Sequence, residues 1–129
     1  GSLIAGLAFS QSGLGAVHGL AHPIGYQLGV PHGYCCAVLL PHVLDLNAAA
    51  APGALQTLAE ATGYSSVAAF LEGIRQLCGT LGLPPNFRKE GLAPPQFPYI
   101  ISNCRSGSMA CNPRFLSDEE LQHLLYRLC

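Results

Sequence analysis

Three histidines lie within the segment AVHGLAHPIGYQLGVPHG, residues 16–33, which is otherwise mostly apolar. His18 and His22 are four residues apart, and His32 follows directly after a proline. Burying an imidazole without a hydrogen-bond partner costs free energy, so an apolar segment with three of them requires an explanation. Either each histidine is satisfied separately inside a core, or the three converge on a common ligand.

The spacing of these histidines favours one shared face. Residues i and i+4 of a helix lie on the same side, and the turn at GVPHG allows the next helix to bring His32 beside His18 and His22. Three ring nitrogens facing one point would suit a borderline divalent metal such as Fe²⁺ or Zn²⁺. However, the H-E-x-x-H pattern is absent, and the nearest carboxylate, Asp45, lies 13 residues beyond His32. A metal site made from this segment alone would be incomplete, and both interpretations stay open on the pattern.

The composition limits the classes of partner. Hydrophobic residues make up 50% of the 129 residues, charged residues make up 10%, and the net charge is −1. Soluble domains usually carry about 25% charged residues, so we expect this chain to pack against another part of a protein. Without a basic run or a long apolar run, neither nucleic acid nor a membrane is an expected partner. Six cysteines without a C-x-x-C pair, and no signal-peptide pattern, favour a cytoplasmic protein with free buried thiols over a disulfide framework.

The hydrophobic periodicity predicts an all-α fold. Helices are expected over residues 3–10, 14–28, 32–47, 52–63, 66–82 and 116–129. Ser117 and Glu120 form a capping-box pattern at the start of the last one. Residues 83–98 and 105–114 are expected to be loops, and YIISNC between them is ambiguous between helix and strand. The prediction is a bundle of about five to seven helices in a single domain.

Longer motifs resemble those of the iron-containing (group III) alcohol dehydrogenases. The motifs A-G-x-A-F-S, G-L-G-x-x-H-x-x-A-H-P-x-G, P-H-G and L-L-P-H-V with a closing Asn occur in this order over residues 5–47. CNPRFLSDEEL resembles the N-P-R loop and terminal helix of that family. The resemblance implies the later part of a dehydroquinate-synthase-like, iron-dehydrogenase C-terminal domain. It also implies hydride transfer between an alcohol and NAD or NADP, with Fe²⁺ or Zn²⁺ as the metal.

The resemblance implies a role for each matching residue. His18 and His32 match two of four metal ligands, the others being an Asp and a His. His22 matches a histidine beside the metal, near the substrate and the nicotinamide, so it is implied both in catalysis and in cofactor binding. Phe9 matches an aromatic residue of the substrate pocket. Ser108, which precedes the N-P-R loop, is implied to bind substrate as well.

The chain also departs from the family pattern. The run GYCCAV differs from the small-residue-and-Asn run common there, and neither the glycine-rich pyrophosphate motif nor the ligand motif D-x-x-x-H occurs. We therefore expect residues 1–129 to be one partial helical domain without the N-terminal dinucleotide-binding domain. Alone it should bind metal weakly and be inactive. Expected partners are a small alcohol or aldehyde, the missing domain and, as one option, a second copy in a homo-oligomer.

Two alternatives to the enzyme interpretation stay open. The first is a non-catalytic helical remnant that associates with a partner chain through exposed apolar faces. The second is a helical metal-binding module whose missing ligand comes from Asp45 or from a symmetry mate.

Overall fold

The computed structural model describes residues 1–129, and all of its regular elements are helices. The predicted all-α class is therefore confirmed. A 3-10 turn at Pro94–Gln96 precedes the sixth of eight α-helices. In chain order the helices are α1 (Ser2–Ser12), α2 (Ala16–Leu28), α3 (His32–Asn47), α4 (Pro52–Ala61), α5 (Val67–Thr80), α6 (Phe97–Asn103), α7 (Gly107–Ala110) and α8 (Asp118–Leu128).

Two of these helices, α6 and α7, lie outside the predicted ones. α6 includes most of the ambiguous YIISNC run, and its Phe97 and Ile100 are buried. α7 is a helix of 4 residues inside the segment predicted to be a loop. Helices of 7 and 4 residues contain too little of the 3.6-residue period for the pattern to identify them.

One cluster of 19 buried residues forms the main core, drawn chiefly from α2, α3, α6 and α8. Leu20 and Ile24 of α2 are completely buried, as is Leu39 of α3. α2 contacts α3, α6 and α7. At Gly19 a Cβ would lie 3.0 Å from the Cys104 carbonyl oxygen, so α2 approaches the end of α6 closely at this point. The helix that carries His18 and His22 is thus fixed by its buried face.

A reciprocal pair of amide hydrogen bonds joins α3 to the N-P-R loop. Asn47 Nδ2 donates to Asn112 Oδ1 at 2.8 Å, and Asn112 Nδ2 donates to Asn47 Oδ1 at 2.9 Å. Asn112 Oδ1 also accepts from the backbone N–H of Ala16 at 3.2 Å, at the start of α2. The second donor of Asn112 reaches the carbonyl of Arg114 at 2.8 Å. The Asn112 amide therefore makes four hydrogen bonds and connects the start of α2 to the end of α3.

Arg114 extends this junction to α8. Its Nε donates to the Leu46 carbonyl at 3.0 Å, and its Nη1 donates to Glu120 Oε1 at 2.7 Å. Glu120 Oε2 accepts from the Ser117 N–H at 2.9 Å while the Ser117 Oγ accepts from the Glu120 N–H at 3.2 Å, which confirms the predicted capping box. The Ser117 backbone hydrogen bond, followed by Arg114, lowers the pKa of the Glu120 carboxyl group.

α1 lies apart from the core. None of its residues is buried, and Leu3, Ile4 and Leu7 are 77%, 73% and 63% exposed. The axes of α1 and α2 are bent by 101° at the break between them. No single helix of the chain is long and apolar enough to span a membrane. Only α1 and α2 taken together, despite the bend between them, have the necessary length and apolar composition.

Replacing Asn112 with Ala tests the junction. The change leaves the Asn47 amide, which is 8% exposed, and the Ala16 N–H without their partner. Because an unsatisfied buried polar group costs about 1–3 kcal/mol, we expect the free energy of unfolding to fall by about 2–4 kcal/mol. Urea denaturation followed by circular dichroism measures this change. The matched control is Asn103→Ala, since the exposed Asn103 amide donates only to Tyr99 and Ser102 of its own helix. An equal fall in the free energy of unfolding in the two variants would contradict the role of Asn112 as the centre of this junction.

Candidate metal centre

Three histidine rings converge where the first turn of α3 faces α2. The ring centroids of His18 and His32 are 5.3 Å apart, and those of His22 and His32 are 4.7 Å apart with nearly parallel planes. Two local features allow this: Gly29 ends α2 in the left-handed conformation, at φ 65°, and Pro31 is extended before α3 begins at His32. The structure therefore brings together all three histidines of the opening segment.

The histidines differ in exposure. His18 is half-buried, whereas His22 and His32 are exposed. Burial, followed by the proximity of His32 and His22, lowers the pKa of His18. A histidine with a lowered pKa is neutral at neutral pH, so a ring nitrogen of His18 keeps a lone pair that can bind a cation.

Cys36, which is not among the predicted ligands, places its thiol beside this cluster. Donor atoms of His18, His32 and Cys36 all lie within 4.8 Å of one another, and Cys36 Sγ is 3.4 Å from His32 Nε2. His22 is not a member of this donor group. Cys36 follows His32 by four residues, which places both on one face of α3. That spacing is the only signal for Cys36 in the sequence, and it does not by itself decide between Cys36 and the adjacent Cys35.

The two residues before Cys36 have other surroundings. The Tyr34 hydroxyl donates to Glu90 Oε1 at 2.5 Å, and burial together with this hydrogen bond raises the pKa of Tyr34 to about 12. Cys35 is completely buried, and burial raises the pKa of its thiol to about 11. Neither residue belongs to the donor group. All six cysteines are free thiols, but only Cys35 and Cys104 are buried, so the predicted burial is wrong for the other four.

No carboxylate of this chain joins the cluster. Asp45 Oδ1 pairs with Arg75 Nη2 at 2.5 Å, and Asp45 is not among the donor residues. The structure therefore does not support Asp45 as the missing ligand. Of the remaining histidines, His42 Nε2 donates to the Pro85 carbonyl oxygen at 2.8 Å, outside the cluster. His123 is exposed on α8.

The two residues implied in substrate binding lie on separate elements. Phe9 is on α1 and is 51% exposed. Ser108 is on α7, and its carbonyl accepts the N–H of Gly15 at 2.8 Å, beside the first turn of α2. The ring contacts of the cluster join only the three histidines, so the structure does not bring Phe9 against them. The substrate-binding roles of Phe9 and Ser108 stay predictions.

The histidine cluster lies on an open surface. None of the three cavities of the chain is lined by His18, His22 or His32. The donor set nevertheless fits a borderline divalent metal, because imidazole binds iron and zinc while thiolate favours zinc. Two imidazoles and one thiol fill at most three positions, so other groups would complete the coordination.

The family described as "Fe-containing alcohol dehydrogenase family, C-terminal" matches residues 1–129. The chain belongs to this family, which confirms the resemblance seen in its motifs. It is 36% identical over 129 residues to 1,3-propanediol dehydrogenase of Klebsiella pneumoniae, covering 93% of this chain and 33% of that protein. It is 32% identical over 139 residues to lactaldehyde reductase of Escherichia coli (strain K12), covering 98% of this chain and 35% of that protein.

A solved structure shows the same fold. The alcohol dehydrogenase from Oenococcus oeni aligns with a TM-score of 0.85 at 31% identity, over 97% of this chain and 35% of that one. The chain thus spans about a third of the length of the relatives that it matches. These relatives are named as alcohol dehydrogenases and an aldehyde reductase, which are oxidoreductases.

The lowered pKa of His18 predicts a pH dependence of stability in the metal-free chain. Unfolded histidine has a pKa of about 6.5, whereas folded His18 binds a proton less readily. Below about pH 6.5 the unfolded state therefore takes up more protons, and the free energy of unfolding falls. We expect His18→Gln to lose less stability than the unchanged chain between about pH 7.5 and about pH 5.5 in urea denaturation.

The control for this measurement is His123→Gln, because His123 is exposed on α8, away from the cluster. We expect this variant to lose stability on acidification as the unchanged chain does, because its His18 is intact. Identical profiles for His18→Gln and the unchanged chain would show that His18 is not the group responsible.

Proposed function

We propose that this chain is the C-terminal, metal-binding part of an NAD(P)-dependent, iron-activated alcohol dehydrogenase of the cytoplasm. The complete enzyme would interconvert a primary or secondary alcohol and its aldehyde or ketone by hydride transfer. The supporting observation is the convergence of His18, His22 and His32, with centroid distances of 5.3 and 4.7 Å, in a chain that matches the family over residues 1–129. In this proposal residues 1–129 are one partial helical domain, and the dinucleotide-binding domain is supplied by sequence outside them.

His18 and His32 would hold the metal, Fe²⁺ or Zn²⁺. When bound, this ion supplies Lewis acidity that makes an alcohol hydroxyl easier to deprotonate. The lowered pKa of His18 supports the assignment, because a neutral ring offers its lone pair at neutral pH. Neutral imidazoles also leave the positive charge of the ion largely uncompensated. The chain alone would bind the ion weakly, because further ligands must come from other residues.

His22 would act on the substrate and the cofactor without holding the metal. Its ring lies 4.7 Å from that of His32, in a nearly parallel orientation, and it is exposed and outside the donor group. A ring nitrogen of His22 is therefore free to hold and pass on the proton that an alcohol releases on oxidation, and the residue would also contribute to binding the cofactor. Histidine is the side chain most often used for such proton transfer. Phe9 and Ser108 would contribute to the substrate pocket.

The exposed face of α1 favours a second candidate, a non-catalytic helical module that associates with a partner chain. Its Leu3, Ile4 and Leu7 are more than half exposed. In the enzyme proposal the same face would be covered by the rest of the protein or by a second copy. The complete reading frame separates the two, because the enzyme requires one about three times as long as this chain.

The decisive experiment uses the product of that complete reading frame. We expect it to retain a divalent metal after desalting and to reduce NAD or NADP with a small alcohol. His18→Ala and His32→Ala each remove a ligand, so both should lose the metal and the activity. His22→Ala should keep the metal while turnover falls by about 10²-fold or more, the usual contribution of a general acid or base. Elemental analysis and nicotinamide absorbance are the measurements.

The matched control is His123→Ala, which removes an exposed histidine from α8. It should retain both metal and activity. Unchanged turnover in His18→Ala would refute the proposed ligand set. A stable chain that binds a partner protein and oxidises no alcohol would favour the non-catalytic module.

A further inference from the structure

Cys36 lies where a third ligand of the candidate metal centre would lie. Its Sγ is 3.4 Å from His32 Nε2, and its donor atom lies within 4.8 Å of that of His18. The thiol is half-buried, whereas the neighbouring Cys35 is completely buried in the core. The helix register thus directs one of two adjacent cysteines into the core and the other to the histidines.

We propose that Cys36 is a ligand of this metal, so that the chain offers two imidazoles and one thiolate. This inference rests on the proposed function, in which His18 and His32 hold a divalent ion. With Zn–S near 2.3 Å and Zn–N near 2.0–2.1 Å, sulfur and nitrogen of an ideal tetrahedral site are about 3.6 Å apart. The observed 3.4 Å between Cys36 Sγ and His32 Nε2 is close to that separation.

A thiolate ligand would alter which metal the centre selects. On coordination the S–H proton leaves to solvent and the sulfur lone pair binds the ion, with no change in oxidation state. Thiolate is a softer donor than carboxylate or water oxygen, and it favours zinc over iron among the divalent ions considered.

Cobalt reports directly on this ligand. We expect Co²⁺ added to the complete metal-free protein to produce the near-ultraviolet charge-transfer absorption of a cobalt–thiolate bond, which imidazole and oxygen ligands do not give. Cys36→Ser should abolish that band. It should also weaken Zn²⁺ binding by at least about 10-fold, because even the loss of a residue that only hydrogen-bonds a ligand lowers metal affinity by about 10- to 100-fold. Cys78→Ser is the matched control, since Cys78 is also half-buried but lies outside the donor group. It should leave both signals unchanged.

A second measurement uses the unchanged protein and so does not depend on the folding of a variant. Zn²⁺ should slow alkylation of Cys36 at least tenfold, as read by mass spectrometry of the labelled peptides, because a coordinated sulfur is not free to react. The exposed Cys111 provides the internal control and should react at the same rate with and without Zn²⁺.

The outcomes separate this inference from the function on which it rests. Metal binding that depends on His18 and His32, with no charge-transfer band and no protection of Cys36, overturns the inference and leaves the proposed function standing. A thiolate band with Cys36 protection, in a protein that oxidises no alcohol, supports the inference and overturns the proposed function. Metal binding that is equal in the unchanged protein and in His18→Ala overturns both.

Discussion

The reciprocal hydrogen bonds between Asn47 and Asn112 hold the framework on which the candidate metal centre depends. They tie the last residue of α3 to a loop whose Asn112 also holds the first residue of α2, and Arg114 adds the start of α8. Two largely buried amides stabilise the fold only when the hydrogen bonds of both are made. The helix ends that carry them must therefore pack together. The junction thus holds the start of α2, two residues before His18, to the end of α3 and to the N-P-R loop.

Local signals made much of this region predictable. α3 begins at His32 and ends at Asn47 as predicted, since Pro31 fixes an extended residue before it. The four-residue spacing of His18 and His22 was enough to place them on one face, and Ser117 with Glu120 was enough to predict the start of α8. Each of these features is decided by residues within about one helical turn of one another.

Features that depend on distant residues were not predictable in the same way. Asn112 is 65 positions from Asn47 and 96 from Ala16, so no local pattern reveals that these groups meet. Cys36 carried the right spacing from His32, but the adjacent Cys35 has equal chemistry, and only the packing of α3 decides which of them is buried. The sequence indicated no position for a carboxylate ligand, and in the structure no acidic side chain of residues 1–129 belongs to the donor group.

The exposed helix α1 has a consequence for the order in which the proposed enzyme is assembled. Helices shorter than about 12–15 residues are marginal in water unless packing supports them, and α1 has 11 residues, none of them buried. Its helical form therefore depends on whatever surface comes to cover its apolar side chains. Because Phe9 lies on this helix, its proposed part of the substrate pocket would become ordered in the same step as that association. In such an enzyme, that part of the proposed pocket would arise by coupled folding.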